Sequence, residues 1–85
     1  MKQFQHKIAD PLGLHGRPSK ALVELAKQLN AQITVTLGTQ TVSARSIFQL
    51  MSLGAVTGSV VTIHIMGGDE DLAFQRLQCF FKDNL

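Results

Sequence analysis

Three stretches of this chain alternate apolar and polar residues with a period of two, and that pattern restricts the fold more than any other feature. Phe4, His6 and Ile8 alternate with Gln3, Gln5, Lys7 and Ala9; Ile33, Val35 and Leu37 with Gln32, Thr34 and Thr36; Val61, Ile63 and Ile65 with Thr62 and His64. Residues two apart share one face of a strand, so each stretch buries one side and wets the other. A shorter fourth stretch, 40–43, follows the turn residues Gly38 and Thr39 and can pair back on the second strand. Strands with one polar face belong to an antiparallel sheet open to water on one side.

Between the strands the period becomes helical. Over 17–29, Pro18, Leu22, Leu25 and Leu29 step by four, three and four, and Ala21 and Ala26 widen the stripe. Pro18 is placed at the first helical position, and Asn30, which tolerates left-handed backbone, ends the helix. Ser46 caps a short helix running to about Ser52, with Gln49 completing a capping box and Ile47, Leu50 and Met51 as its apolar positions. After Gly67 and Gly68, Asp69 caps the last helix, and Glu70 and Asp71 complement its positive end. Ala73, Leu77, Phe80 and Phe81 form most of its apolar stripe. The order β-α-β-β-α-β-α predicts an α+β open-faced sandwich, a four-stranded antiparallel sheet covered on one face by three helices.

A chain of 85 residues is read as one small domain over 1–85. Hydrophobic content of 45% and charged content of 16% describe a globular protein rather than a disordered one. The net charge of +2 does not demand nucleic acid, although a local basic patch can recruit an acidic protein. Cys79 is the only cysteine, so no intramolecular disulfide forms and a reducing, cytoplasmic location is expected. No apolar run approaches the roughly 20 residues of a membrane span, and residues 1–10 lack the apolar core of a signal peptide. His6 and His64 fall in strands without metal-ligand spacing, so no metal site is expected.

The stretch with chemical content is Gly13-Leu14-His15-Gly16-Arg17-Pro18. It places His15 where a helix begins, beside backbone N–H groups without intrahelical partners, those of Gly16 and Arg17. The Arg17 guanidinium adds a permanent fork of donors in the first turn. Neutral imidazole is nucleophilic near neutral pH, and the phosphoramidate it forms gives its phosphoryl group away again. The pattern therefore points to reversible phosphorylation of His15, against the plainer reading of a helix-flanking histidine and a solvated arginine. Ser46 has two readings, a structural cap or a phosphorylation site whose charge weakens docking of an acidic partner. Ile47, Phe48 and Met51 are more apolar surface than a short helix can bury, which suggests a docking patch. Lys20, Lys27 and Arg45 either rim that patch or are ordinary solvated charges.

These residues resemble the active-site signature of the HPr family, the histidine phosphocarriers of the bacterial phosphoenolpyruvate:sugar phosphotransferase system. A second stretch, Ala44-Arg45-Ser46-Ile47-Phe48-Gln49-Leu50-Met51-Ser52-Leu53-Gly54, resembles the family's regulatory serine region. The resemblance covers essentially the whole chain. It implies an HPr-like fold, no cofactor, and phosphorylation of His15 on Nδ1 by phosphorylated enzyme I, with onward transfer to EIIA domains of sugar permeases. Arg17 matches the active-site arginine, and Ile47, Phe48 and Met51 match the docking helix. Ser46 matches the target of HPr kinase/phosphorylase, whose product also joins a catabolite control protein in many lineages. The expected protein is a monomeric carrier rather than an autonomous enzyme. Gly16 stands where alanine or threonine is usual, Ser19 and Lys20 replace small apolar residues on the expected docking rim, and Glu24 and Gln49 replace frequent lysines. These departures bear on partner choice and leave room for a specialised paralogue.

Two other classes compete. Gly13-Leu14-His15-Gly16 fits the GXXG loop of nucleic-acid-binding KH domains, although no helix is expected before it. An enzyme acting alone would need a fixed base or a substrate pocket, and neither is evident.

Overall fold

The computed structural model describes residues 1–85. The chain runs through β1 (Lys2–Lys7), α1 (Gly16–Gln28), β2 (Gln32–Leu37), β3 (Gln40–Ser43), α2 (Ile47–Ser52), β4 (Val60–Met66) and α3 (Glu70–Asn84). The strands make one antiparallel sheet in the order β1-β4-β2-β3, so the last strand in sequence lies between the first two. Ile63 thus stands beside Phe4 on one side and Val35 on the other, while His64 stands between Gln3 and Thr34. Ile33, Val35, Val61, Ile63 and Ile65 are buried beneath the helices. Thr34, Thr36, Thr62 and His64 occupy the opposite, half-exposed face. There the Thr36 and Thr41 hydroxyls bond across the hairpin at 2.8 Å. The α+β open-faced sandwich read from the alternation is the fold observed.

Three details of α1 differ from the sequence reading. Helix α1 starts at Gly16, which makes Pro18 its third residue rather than its first. Proline fits there for the same reason, since its missing N–H falls among donors the helix leaves unpaired. The buried face of α1 is Pro18, Ser19, Leu22, Val23 and Ala26, while Ala21 and Leu25 are only half-buried. Ser19 is fully enclosed, so it is not part of a docking rim. Asn30 does not adopt left-handed backbone; only glycines have positive φ. The C-terminal carbonyls of α1 are instead satisfied from a distance. Arg45 Nη2 lies 3.2 Å from Leu29 O and 3.0 Å from Ala31 O, with Ala26 O at 3.5 Å.

At α2 only half of the expected capping box forms. The Gln49 N–H donates to Ser46 Oγ at 3.3 Å, but Gln49 Oε1 accepts from the Ser43 N–H at 2.9 Å. The Ser46 N–H is already donated to Ser43 O, so the glutamine takes the next free donor. Leu50 is the one buried residue of this six-residue helix. So short a helix is not stable alone, and Leu50 with the Ser46 cap fixes it to the core.

Helix α3 covers β1 and β4. Asp69 Oδ1 accepts from the Leu72 N–H at 3.2 Å, and Glu70 joins the Gly67 N–H and the Met1 ammonium. Ala73, Leu77 and Phe81 are buried, with Phe80 half-buried beside them. Phe81 and Phe74 meet Phe4 edge-on with ring centroids 5.8 and 5.6 Å away. Gly68 is required by close approach, since a Cβ there would lie 1.6 Å from Asn30 O. The Asp69 N–H donates to the same oxygen, joining the ends of α1 and β4. No helix is long and apolar enough to cross a membrane.

Candidate functional site

Beyond β1 the chain folds into a tight loop before α1. Asp10 Oδ1 accepts from the Leu12 N–H at 2.8 Å, and Asp10 O accepts from the Gly13 N–H at 3.0 Å. Asx-turn chemistry of this kind presets the backbone without help from a sheet. Gly13 has φ 70°, and a Cβ on it would lie 2.4 Å from Ala55 O. The Leu14 N–H then donates to Ala55 O, and the buried Leu14 side chain anchors the loop to the core.

His15 follows as the N-cap residue of α1 in extended backbone, with no capping bond from its side chain. Its own N–H donates to Gly13 O and its carbonyl accepts from Ser19. The N–H groups of Gly16 and Arg17 donate to no protein group, so both are free at the start of α1. The His15 side chain is 33% exposed, with Nε2 3.6 Å from Asp10 Oδ1. Arg17 is exposed and forms no ion pair, leaving its donor fork open. An open cleft of about 770 Å³ is lined by Asp10, Pro11, Leu12, His15, Arg17, Pro18, Ala21, Asp83 and Asn84. His15 and Arg17 both line this cleft, and the unpaired N–H groups of Gly16 and Arg17 follow His15 directly in the chain, an arrangement suited to a group that arrives with negative charge.

Three residues of the cleft, Asp10, Asp83 and Asn84, are not singled out by the sequence pattern. Asp10 lies five residues before His15, and the loop between them brings its carboxylate back towards the ring. Asp83 and Asn84 come from the far end of the chain, and nothing local marked them. Gly16, by contrast, has no heavy atom within 4 Å of the place a Cβ would take, so packing does not require glycine there.

The other expected residues lie apart from the cleft. Ser46 is half-exposed at the start of α2, with Phe48 84% and Met51 49% exposed and Ile47 packed against the core. Lys20 and Lys27 are exposed on α1, and α1 packs beside α2. The Arg45 guanidinium is engaged with the end of α1 rather than projecting freely. Leu12 and Val56, 72% and 59% exposed, add apolar surface that the periodicity did not identify. Gly13–Gly16 is preceded by a strand and turn rather than a helix, so the paired-helix clamp of a KH domain is not assembled.

The architecture defines the class: it is the open-faced sandwich of small histidine phosphocarriers. It superposes on an HPr-C-His structure from Thermoanaerobacter tengcongensis with a TM-score of 0.91 at 35% identity, covering 98% of this chain and 93% of that one. A Mycoplasma histidine-containing phosphocarrier protein gives 0.92 at 30% identity, covering 96% and 93%. The family model described as PTS HPr component phosphorylation site matches residues 2–83. A phosphocarrier protein HPr from Buchnera aphidicola is 38% identical over 98% of both chains. The chain belongs to the HPr family of the phosphotransferase system.

Proposed function

We propose that His15 is the residue that carries the phosphoryl group, receiving it on Nδ1 from phosphorylated enzyme I and passing it to EIIA domains of sugar permeases. The observation that carries this reading is the half-open imidazole at the mouth of α1, flanked by the unspent N–H groups of Gly16 and Arg17. Those donors and the Arg17 fork stabilise the charge that spreads over the equatorial oxygens during transfer. No base is needed, because the neutral ring attacks with its own lone pair. The protein is a monomeric carrier in the cytoplasm that needs its donor, not an enzyme acting alone, and it uses no cofactor or metal.

The exposed Phe48 and Met51, with Ile47 packed on the core and Lys20 and Lys27 exposed on the adjoining α1, form the docking surface for these acidic partners. Arg45 contributes charge to its edge while holding α1. Ser46 is the regulatory site, modified by HPr kinase/phosphorylase and then read by a catabolite control protein. A phosphate on its hydroxyl is tolerated at the helix N-terminus, which favours negative charge, and reverses the local charge on the docking face.

The test is incubation with enzyme I and phosphoenolpyruvate, followed by mass mapping under alkaline conditions that preserve phosphohistidine. Label on His15, lost in His15→Ala while the fold persists, supports the reading. Label elsewhere, or labelling without enzyme I, overturns it.

A further inference from the structure

We propose that Asp10 is a positioning residue for His15: its carboxylate holds the ring proton on Nε2 and so keeps Nδ1 as the free nucleophile. This rests on His15 being the phosphoryl acceptor. Asp10 is braced on every side. Its N–H donates to Leu85 O, its carbonyl accepts from Gly13 and from the Thr57 hydroxyl, and Oδ1 accepts from Leu12. The carboxylate is therefore presented by the loop rather than swinging freely, with only a quarter of the side chain exposed. That same Oδ1 faces His15 Nε2 at 3.6 Å.

A carboxylate beside one ring nitrogen favours the tautomer with the proton on that nitrogen, as it does for the second nitrogen of metal-bound and catalytic histidines. Nδ1 then keeps its lone pair. In the transfer step that pair forms the new N–P bond while the bond from phosphorus to the donor breaks and its electrons return to the donor. The Nε2 proton stays where it is. The ring gains positive charge as the bond forms, and the Asp10 carboxylate stands next to it. Transfer onward reverses the sequence, so the same contact serves loading and unloading. Arg17 and the Gly16 N–H handle the phosphoryl oxygens, whereas Asp10 acts only through the ring.

Asp10→Asn keeps an oxygen for the Leu12 N–H and removes the charge, which separates positioning from loop structure. Two-bond proton–nitrogen correlation spectra of the unphosphorylated protein, recorded with the imidazole neutral, report the tautomer directly. In the parent, His15 should be overwhelmingly Nε2–H. In Asp10→Asn the Nδ1–H fraction should rise, and in Asp10→Ala it should rise further. Phosphoryl transfer from the donor to His15 should slow about fivefold in Asp10→Asn, the scale of one partly solvated charge contact. An unchanged tautomer in both variants overturns the proposal, and so does slower transfer without a tautomer change. The tautomer reading needs no phosphorylation. If His15 were not labelled at all, the carrier assignment would fail while the Asp10 contact remained measurable on its own terms.

Discussion

Ser19 shows how one side chain can sit in an environment that its chemistry does not favour. It is fully buried on α1, and its hydroxyl has no hydrogen-bond partner. Burying an unpaired hydroxyl is unfavourable, so Ser19→Ala should stabilise the protein by about 1 kcal/mol in urea unfolding. A loss of stability would mean that the hydroxyl has a partner in solution. Arg17 is the opposite case, exposed and unpaired at the cleft. Arg17→Ala should slow phosphoryl transfer by about a hundredfold, the usual effect of removing one preorganised donor. Its thermal unfolding should move little, because surface substitutions away from caps and cores usually change stability by less than about 0.5 kcal/mol. A large loss of stability with normal transfer would assign Arg17 to the fold instead.

At the scale of elements, the helix ends show where local and tertiary chemistry meet. Ser46 and Asp69 cap α2 and α3 with their own side chains, as residues of their type do wherever a helix begins. The other end of α1 has no such residue, and Arg45, 14 positions beyond Ala31, supplies the donors. Arg45→Ala should therefore cost about 1–2 kcal/mol, since it removes a charged donor from carbonyls that are partly shielded from water. Hydrogen exchange should show the last turn of α1 opening first. Equal protection along α1 in that variant would show that water replaces the guanidinium without loss. Phe48→Ala is expected to leave stability nearly unchanged, because the ring is 84% exposed, and to weaken binding of a docking partner measured calorimetrically.

Across the whole molecule, the start of the chain is tied to the start of α3. The Met1 ammonium lies 2.9 Å from Glu70 Oε1, and Lys2 lies 3.1 Å from Asp71. The hydrogen bond from that ammonium, aided by the Gly67 N–H, holds the Glu70 carboxyl below the ordinary carboxylate range. A depressed folded-state value stabilises the protein at pH above the ordinary value, and the benefit is lost as pH falls through the depressed one. Glu70→Gln should accordingly lower stability at neutral pH and converge with the parent in acid. Denaturation midpoints measured between neutral and strongly acidic pH check this, and parallel curves would refute it. The same residues clamp β1 to α3, the pairing that also brings Phe4 onto Phe74 and Phe81.

The sequence by itself determined the elements, their order and the layered architecture, because alternation and helical spacing are local and each requires one buried face. It also marked His15, Arg17 and Ser46 as candidates, since their positions at helix starts depend on neighbours within a few residues. What only the tertiary structure decided were the contacts between distant segments. Arg45 ends α1, Asp10 faces His15, Asp83 and Asn84 wall the cleft, and Ser19 turns inward. Each of these depends on which chain segment arrives at a given point in space, and periodicity records which side of an element is buried but not what meets it there.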